Sequence, residues 1–259
     1  MAVMAAGCGG EREVTLRFDA RAGAQPLRCG TPVDGLGTSA TRYDLKDLRF
    51  YVHDVALLTA DGEAHPVSLT SDGTWQSSKV ALLDFEDRSG ECLNGTEQMR
   101  DVVVGTVADE DFTALRFRVG VPSELNHDDA SVAPAPLNLT SLFWDWRAGY
   151  KFIRLDGKTA GMPTGHNFHL GSTGCSGSPA TCEQANVPEV TLTSFDPDAQ
   201  VVVFDVAELF GDSNLDEDDG TSPGCMGSPS GDPDCLPLFK RLGLAGQEQQ
   251  AFRAEAQTP

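Results

Sequence analysis

Short runs in which polar and apolar side chains alternate with a period of two recur along the chain. The run from Glu13 to Asp19 is the first, and the run from Leu48 to Leu58 follows it. Successive side chains of a β-strand point to opposite faces of a sheet, so such runs predict strands with one buried face. Glycine, proline, aspartate and asparagine, which favour turns, fill the segments between the runs. The pattern predicts an all-β protein.

The remaining candidate strands are consistent with one large domain. They lie at residues 79–85, 114–120, 150–155, 167–170, 189–193 and 201–205. Helical periodicity is confined to two short stretches near residues 205–210 and 236–244, and no change of composition marks a linker. We predict a single β-sandwich or barrel-like domain over residues 13–246, with long loops stapled by disulfides. Residues 1–12 are predicted to be a lipoprotein signal remnant and tether, and residues 247–259 a disordered tail.

The cysteines indicate an oxidising environment. Cys8 stands apart near the N-terminus, and six others follow at wider spacings. No pair has the Cys-x-x-Cys spacing, and zinc sites usually use tighter pairs, so we predict up to three disulfides. The six residues concerned are Cys29, Cys92, Cys175, Cys182, Cys225 and Cys235. Their pairing stays open, although a bridge from Cys225 to Cys235 would restrain the loop at residues 211–235.

The segment Ala5-Ala6-Gly7-Cys8 resembles a bacterial lipobox, in which small residues precede a lipidated cysteine. It predicts a signal peptide, a lipid on Cys8, and a location in the periplasm or on the outer cell surface. No later segment approaches the ~20 consecutive apolar residues of a membrane span. We therefore expect the protein to be attached to a bacterial membrane through its lipid alone.

The formal charge of −20 restricts the partners of the chain. Such a surface repels phosphate backbones, so no nucleic-acid partner is predicted, whereas cations are attracted. One acidic loop carries alternating oxygen ligands of the kind found in calcium loops, namely Asp212, Asn214, Asp216 and Asp218. Glu217 and Pro223 occupy the positions where an EF-hand needs glycine and glutamate. The alternatives are an irregular Ca²⁺ site and a solvated acidic loop.

Two of the three tryptophans, Trp144 and Trp146, form a W-x-W motif. On a strand, residues i and i+2 face the same side, so both indoles would lie together on one surface. Two interpretations are open. The indoles form a packed aromatic pair, or they lie near the surface, where oxidisable rings serve redox chemistry.

Five histidines are candidates for metal binding, because imidazole is a good copper ligand. His166 and His169 are three residues apart, which on a strand places them on opposite faces. They would share an ion only if His166 lay in the preceding loop. Three others, His53, His127 and His65, are scattered along the chain. A lone histidine is usually structural, so only convergence in space would identify ligands.

An ordered series of motifs resembles the MbnP-like family of copper-binding proteins, in particular its W-x-W, four-cysteine branch. The similarity runs from about residue 14 to residue 244. The motifs include Leu48-Arg-Phe-Tyr-Val-His-Asp-Val, Ala81-Leu-Leu-Asp-Phe-Glu, Leu125-Asn-His, Phe143-Trp-Asp-Trp, Gly149-Tyr-Lys-Phe, Phe168-His-Leu-Gly-Ser-Thr-Gly-Cys and Gly224-Cys-Met.

The resemblance implies a Cu(I) site built from two histidines and a kynurenine. It also implies a partner, a MauG-like dihaem cytochrome c peroxidase, that makes the kynurenine by oxidising a tryptophan. Carried onto this chain, His53 and His127 are the leading ligands, and His169 is the alternative or third ligand. Trp144 and Trp146 match the W-x-W motif and are the candidates for oxidation. Position 51, two residues before His53, is tyrosine, so if the oxidised tryptophan of some members precedes a histidine in this way, the modification lies elsewhere here or is absent.

The sequence contains no hydrolase elbow, phosphate-binding loop, zinc-protease motif or dinucleotide-binding fingerprint. We therefore predict an extracytoplasmic copper-binding accessory protein, itself the substrate of a partner peroxidase, and not an enzyme. The alternative is a structural or adhesive surface β-sandwich with no metal role. A carbohydrate-active enzyme is a weaker alternative, because Asp145 alternates away from the indoles on which a sugar would stack.

Overall fold

The computed structural model describes residues 10–220 and 222–257, so the predicted lipidation site at Cys8 lies outside the described residues. In the described part of the chain, no helix is long and apolar enough to cross a membrane. Strands dominate these residues and form two large sheets and two separate hairpins within them.

The first sheet has six strands. These are β1 (Glu11–Ala22), β2 (Gln25–Pro26), β6 (Ser68–Leu69), β8 (Val102–Ala108), β17 (Gln200–Asp205) and β19 (Phe252–Ala256). Their order is β19-β17-β1-β8-β6, with β2 added beside β1. β1 runs parallel to β17 and antiparallel to β8, so a strand from the C-terminal part of the chain closes against the first strand.

The second sheet has nine strands arranged around one long strand. They are β3 (Val33–Leu36), β4 (Thr41–Leu58), β5 (Ala64–Pro66), β7 (Val80–Asp84), β9 (Ala114–Val119), β12 (Ile153–Lys158), β13 (His166–Leu170), β16 (Glu189–Leu192) and β18 (Gly224–Cys225). The main order is β16-β9-β4-β12-β13-β18. β4 is 18 residues long and pairs with β3, β5, β7, β9 and β12 along its length.

Smaller elements complete the fold. Two hairpins pair β10 (Phe143–Asp145) with β11 (Gly149–Tyr150) and β14 (Thr173–Ser176) with β15 (Thr181–Gln184). A 3₁₀ turn covers Thr140–Leu142, and two short helices are α1 (Val206–Leu209) and α2 (Cys235–Arg241). Both helices fall within the two stretches of helical periodicity in the sequence.

Aromatic side chains fill the space between the two sheets. Phe18 of β1 lies 5.7 Å from Phe117 of β9, and Phe50 of β4 lies 5.3 Å from Phe204 of β17, measured between ring centroids. All four rings are buried. Such contacts between the inner faces of two sheets define a sandwich core. The all-β sandwich prediction is confirmed.

The six cysteines pair as Cys29–Cys92, Cys175–Cys182 and Cys225–Cys235. The prediction of three disulfides is confirmed. The last bridge joins β18 to the start of α2 and restrains the loop between them, as expected. The first bridge closes a separation of 63 residues, which is the kind of long-range link that most restricts an unfolded chain.

The C-terminal segment differs from the prediction of a disordered tail after Gly246. Residues Phe252–Ala256 form β19, which pairs antiparallel with β17. The physical reason is Phe252, which is buried 4.8 Å from Phe204 and 5.5 Å from Phe117. At the other end of the chain, β1 begins at Glu11 within the predicted tether.

Candidate functional site

The outer face of the second sheet is covered by residues 120–152, here called the covering segment. On β4, Phe50 points into the sandwich, so its neighbour Tyr51 points outward. Tyr51 meets Tyr150 of the covering segment at a centroid distance of 6.0 Å. Both phenols donate hydrogen bonds to backbone carbonyls of the segment, Tyr51 to Pro136 and Tyr150 to Leu137. These buried contacts hold the covering segment on the sheet.

The W-x-W motif lies in this segment, but its two indoles have different surroundings. β10 ends at Asp145, whose Oδ1 accepts hydrogen bonds from the backbone N–H groups of Arg147 and Ala148. Trp146 therefore lies in the turn, is 53% exposed, and packs against the Arg147 guanidinium at 5.0 Å. The alternation that predicted two indoles on one strand face fails because the strand stops between them.

Trp144, in contrast, packs against the end of β13 in the second sheet. Its ring covers the backbone of Gly171, where a Cβ atom would lie only 2.4 Å from Cζ3 of the indole. The centroid of the indole ring is 6.4 Å from that of the His169 ring and 5.9 Å from the Lys151 ammonium. Trp144 is half-buried and forms one wall of a shallow depression that Cys175 and Met226 also line.

His169 is buried on β13 and is held by a carboxylate. Its Nε2 lies 2.7 Å from Oδ1 of Asp156 on β12, and Asp156 also accepts a hydrogen bond from Arg154. Burial raises the pKa of Asp156, but the bonds from His169 and Arg154 outweigh it and hold that pKa below its ordinary value. An ionised carboxylate only accepts, so Nε2 carries the proton. The buried Nδ1 has no partner and keeps its lone pair.

His53 is buried on β4, and neither of its ring nitrogens makes a hydrogen bond. Nδ1 lies 3.3 Å from Oδ2 of Asp54, without hydrogen-bond geometry. Burial lowers the pKa of His53 below its ordinary value of 6.5, in spite of the nearby Asp54 carboxylate. The ring is therefore neutral near pH 7, and a lone pair is available.

His127 belongs to the covering segment and lies near the W-x-W turn. Its Nδ1 is 3.1 Å from the carbonyl oxygen of Trp146. A carbonyl only accepts, so Nδ1 donates and Nε2 carries the lone pair. This lone pair accepts a hydrogen bond from Nδ2 of Asn126 at 3.3 Å, and Sγ of Cys182 lies at the same distance from Nε2.

The strand register separates two of the three predicted ligands. Arg49 of β4, Arg154 of β12 and His169 of β13 lie in one row across the sheet. His53 lies four residues further along β4, so its Cα is roughly 16 Å from that of His169 at ordinary strand spacing and rise. One ion therefore binds at most one of the two. His169 stays a prediction only as the alternative to His53, and not as a third ligand beside it.

His166 and His169 lie on opposite faces of β13, as their spacing predicts. His166 packs edge-on against Phe210, with ring centroids 5.6 Å apart, whereas His169 faces Trp144. The two cannot share an ion, because His166 is paired within the strand to Gly157 and not in the preceding loop.

The acidic loop of the calcium prediction is held by hydrogen bonds to other segments of the chain and within itself. Asp216 accepts from the hydroxyl of Thr41 and the N–H of Gly161, and Asp212 pairs with Arg241 at 2.7 Å. Asp218 accepts from the N–H of Gly220, and Asn214 contacts Glu217. Over residues 10–220 and 222–257, these carboxylates do not meet as a group of three, so the calcium prediction gains no support.

The group that does meet consists of His127, Cys175 and Cys182. Their ligating atoms all lie within 4.8 Å of one another, although the two sulfurs are bonded to each other as a disulfide. Sequence reasoning assigned the cysteines to disulfides and His127 to copper, and it did not place them together. It also missed Asp156 as the partner of His169, since only the β12–β13 pairing brings these residues side by side.

The fold and the site together describe a disulfide-stapled β-sandwich in which histidines lie around a tryptophan-bearing covering segment. A sequence profile of the MbnP family matches residues 11–227, which is well over half of the chain. The chain belongs to the MbnP family, and the resemblance seen in its motifs is confirmed.

A solved structure supports the same assignment. The structure of MbnP from Methylosinus trichosporium superposes with a TM-score of 0.85 and is 29% identical in sequence. The match covers 96% of this chain and 100% of that chain. A search of curated proteins gives no match.

Proposed function

We propose that this chain is an exported copper-binding accessory protein that holds Cu(I) with histidines and a tryptophan-derived kynurenine. The kynurenine is made by a partner, a MauG-like dihaem cytochrome c peroxidase, so the chain is a substrate of that enzyme and not a self-sufficient enzyme. Family membership and the similarity to MbnP support the class of protein. One observation supports the metal site in particular.

That observation is the set of buried imidazole nitrogens that lack partners. Nε2 of His53 and Nδ1 of His169 are enclosed by protein without a hydrogen bond, and Nδ1 of His53 has only its 3.3 Å contact with Asp54. Nε2 of His65 and Nδ1 of His166 also lack partners, but no tryptophan of the W-x-W motif faces them. Leaving a polar group buried and unpaired costs about 1–3 kcal/mol, so natural proteins rarely do so without a functional reason. A metal ion that accepts the lone pair removes this cost.

The donor set suits Cu(I). Neutral imidazole is a good copper ligand. His127 presents a lone pair at Nε2 because its Nδ1 donates to the Trp146 carbonyl, and a hydrogen bond of this kind typically orients metal-binding histidines. We take His53 with His127 as the ligand pair, because both lie within the motifs that resemble the family and Nε2 of His53 is buried without a partner.

The choice of ligands is tied to the choice of tryptophan. Trp146 is exposed to an approaching partner, and its carbonyl contacts His127, so it belongs with the pair His53 and His127. Trp144 faces His169, so it belongs with the alternative in which His169 replaces His53. Peptide mass spectrometry after co-expression with the peroxidase distinguishes them, using Trp144→Phe and Trp146→Phe.

The test is a Cu(I) competition titration of the disulfide-bonded protein against bicinchoninate. We expect one tight copper after co-expression with the peroxidase, and a loss of affinity of at least about tenfold in His53→Ala and in His127→Ala. His65→Ala is the matched control, because His65 lies on the short strand β5 beside Glu110, away from the covering segment. We expect no change in that control.

Other outcomes revise the proposal in defined ways. If His169→Ala lowers the affinity for Cu(I) and His53→Ala does not, the copper site lies at His169, beside Trp144. No tight copper after co-expression overturns the copper function and leaves the structural or adhesive alternative. An effect of Ca²⁺ on thermal stability that disappears in Asp216→Asn would restore the calcium prediction.

A further inference from the structure

The hairpin β14–β15 stands apart from the two large sheets and carries one disulfide directly across its two strands. Cys175 and Cys182 are opposite each other in its register, and their Cα atoms are 3.8 Å apart. The hairpin pairs with no other strand in the described part of the chain. Nε2 of His127, which carries a lone pair, lies 3.3 Å from Sγ of Cys182.

This bridge is the one most open to reduction. Cys175 and Cys182 are partly exposed, whereas Cys92, Cys225 and Cys235 are fully buried and Cys29 nearly so. Exchange requires access of a thiolate to sulfur, so exposed disulfides react first. The bridge also closes the shortest of the three loops, with a separation of 7 residues, so its loss affects the stability of the fold least.

The hairpin keeps its shape without the bridge, because hydrogen bonds fasten its base. Asn186 donates from Nδ2 to the carbonyl of Gly171 and to the hydroxyl of Thr173. The Ser172 hydroxyl donates to the carbonyl of Ala185. After reduction, the two sulfurs therefore stay near each other and near His127.

From this geometry we propose that Cys175, Cys182 and His127 form a Cu(I) site that is closed in the disulfide form and opened by a dithiol reductant. A bonded disulfide has weakly donating sulfurs, whereas two thiolates and an imidazole form a soft three-ligand set for Cu(I). The choice of Cu(I) rests on the proposed function. His127 is shared with the site proposed there, whereas the two cysteine ligands do not belong to it.

Opening of the Cys175–Cys182 bridge is a thiol–disulfide exchange. The reductant supplies two electrons and two protons, its two thiols become a disulfide, and Cys175 and Cys182 become free thiols. Binding of Cu(I) then releases both thiol protons to solvent, which leaves two thiolate ligands. His127 needs no rearrangement, because its Nε2 already faces Cys182. Met226 and Trp144 line the depression beside Cys175.

The experiment starts with limited dithiothreitol under anaerobic conditions, followed by its removal. Alkylation and peptide mapping identify which bridge opened. We expect Cys175 and Cys182 to be labelled first, and Cys29–Cys92 and Cys225–Cys235 to stay intact. Protein made without the peroxidase lacks the kynurenine site, so the single lone pair of His127 is free for the cysteine site. On this protein, Cu(I) competition against bicinchoninate should show one additional copper per chain relative to the fully oxidised protein, with copper–sulfur scattering in X-ray absorption.

Two treatments should remove the additional copper. One is alkylation of the reduced wild-type protein with iodoacetamide, and the other is the double variant Cys175→Ser, Cys182→Ser. His127→Ala should weaken the additional copper at least about tenfold, since one of three ligands is lost. Near-ultraviolet circular dichroism checks that each sample keeps its tertiary structure.

The inference is overturned if reduction adds no copper, if the additional copper survives alkylation, or if a buried bridge opens first. Its failure is distinct from that of the proposed function, which is judged on the oxidised protein through His53→Ala. If the oxidised, co-expressed protein binds no copper and the reduced protein binds one, this inference holds and the proposed function does not.

Discussion

His53, His166 and His169 are all buried, yet their surroundings assign them different tasks. His169 is held by the Asp156 carboxylate, and His53 has no hydrogen-bond partner at all. His166 packs on Phe210 with an unpartnered Nδ1, on the face of β13 away from the tryptophans. His53 and His169 face the covering segment and are ligand candidates. His166 is a core residue whose ionisation affects stability.

Acid should destabilise the protein through His166. Burial lowers the pKa of His166 to about 4 from its ordinary 6.5. Between these values the unfolded chain binds a proton that the folded chain does not, so stability is full above pH 6.5 and falls as the pH drops toward 4. From pH 7 to pH 5, the wild type should lose about 2 kcal/mol more than His166→Gln, measured by urea unfolding of copper-free protein. The same pH dependence in both proteins would contradict this assignment.

At the scale of elements, β4 is the strand that organises the site. One face carries Phe50 into the sandwich, and the other carries Tyr51 toward the covering segment. Its length lets it pair with five other strands, so the rows of side chains on its outer face are fixed by register with β12 and β13. That register separates His53 from His169. The turn set by Asp145 has a comparable effect on the indoles, because it ends β10 before Trp146.

β19 lies in the segment that the sequence predicts to be a disordered tail. Phe252 packs against Phe204, Phe117 and Phe50, so Phe252→Ala should lower the free energy of unfolding by about 3–5 kcal/mol in urea titrations. Leu236→Ala is the control, since Leu236 is 42% exposed and should change stability by less than about 1 kcal/mol. If Phe252→Ala were as mild as the control, the segment would be the disordered tail that its polar composition predicts.

At the scale of the whole molecule, the chain combines an acidic surface, three disulfides and a proposed metal site on one face of a sandwich. The three bridges fit an oxidising compartment. The formal charge of −20 favours cations around the protein, which suits a protein that handles a metal ion. Attachment to a membrane is a separate matter, which depends on Cys8 alone.

The lipid anchor is tested by expressing the protein in a bacterium with an export signal and separating membranes from soluble material. We expect the wild type in the membrane fraction, labelled by an alkyne-tagged fatty acid at Cys8. Cys8→Ser should be soluble and unlabelled, because lipid chains contribute about 0.8 kcal/mol per buried methylene to membrane binding. Titration of free thiols checks that the three disulfides are intact in the variant. Equal distribution of the two proteins would refute lipidation.

By itself the sequence determined the properties that depend on neighbours along the chain. Alternation of side chains at Glu13–Asp19 predicts β1, since a strand's two faces are set by sequence parity. The spacing of His166 and His169 places them on opposite faces for the same reason. The count and spacing of cysteines predict disulfides, and the ordered motifs identify the family.

Only the tertiary structure decided what depends on register between strands that are distant in sequence. It paired His169 with Asp156, brought His127 against Cys182, and placed His53 and His169 too far apart for one ion. It also placed Phe252 in the core. A single residue's shift in pairing would exchange the faces of a strand, and local sequence carries no measure of that pairing. Contacts between sheets are therefore determined by packing of the whole chain, and the candidate site is built from such contacts.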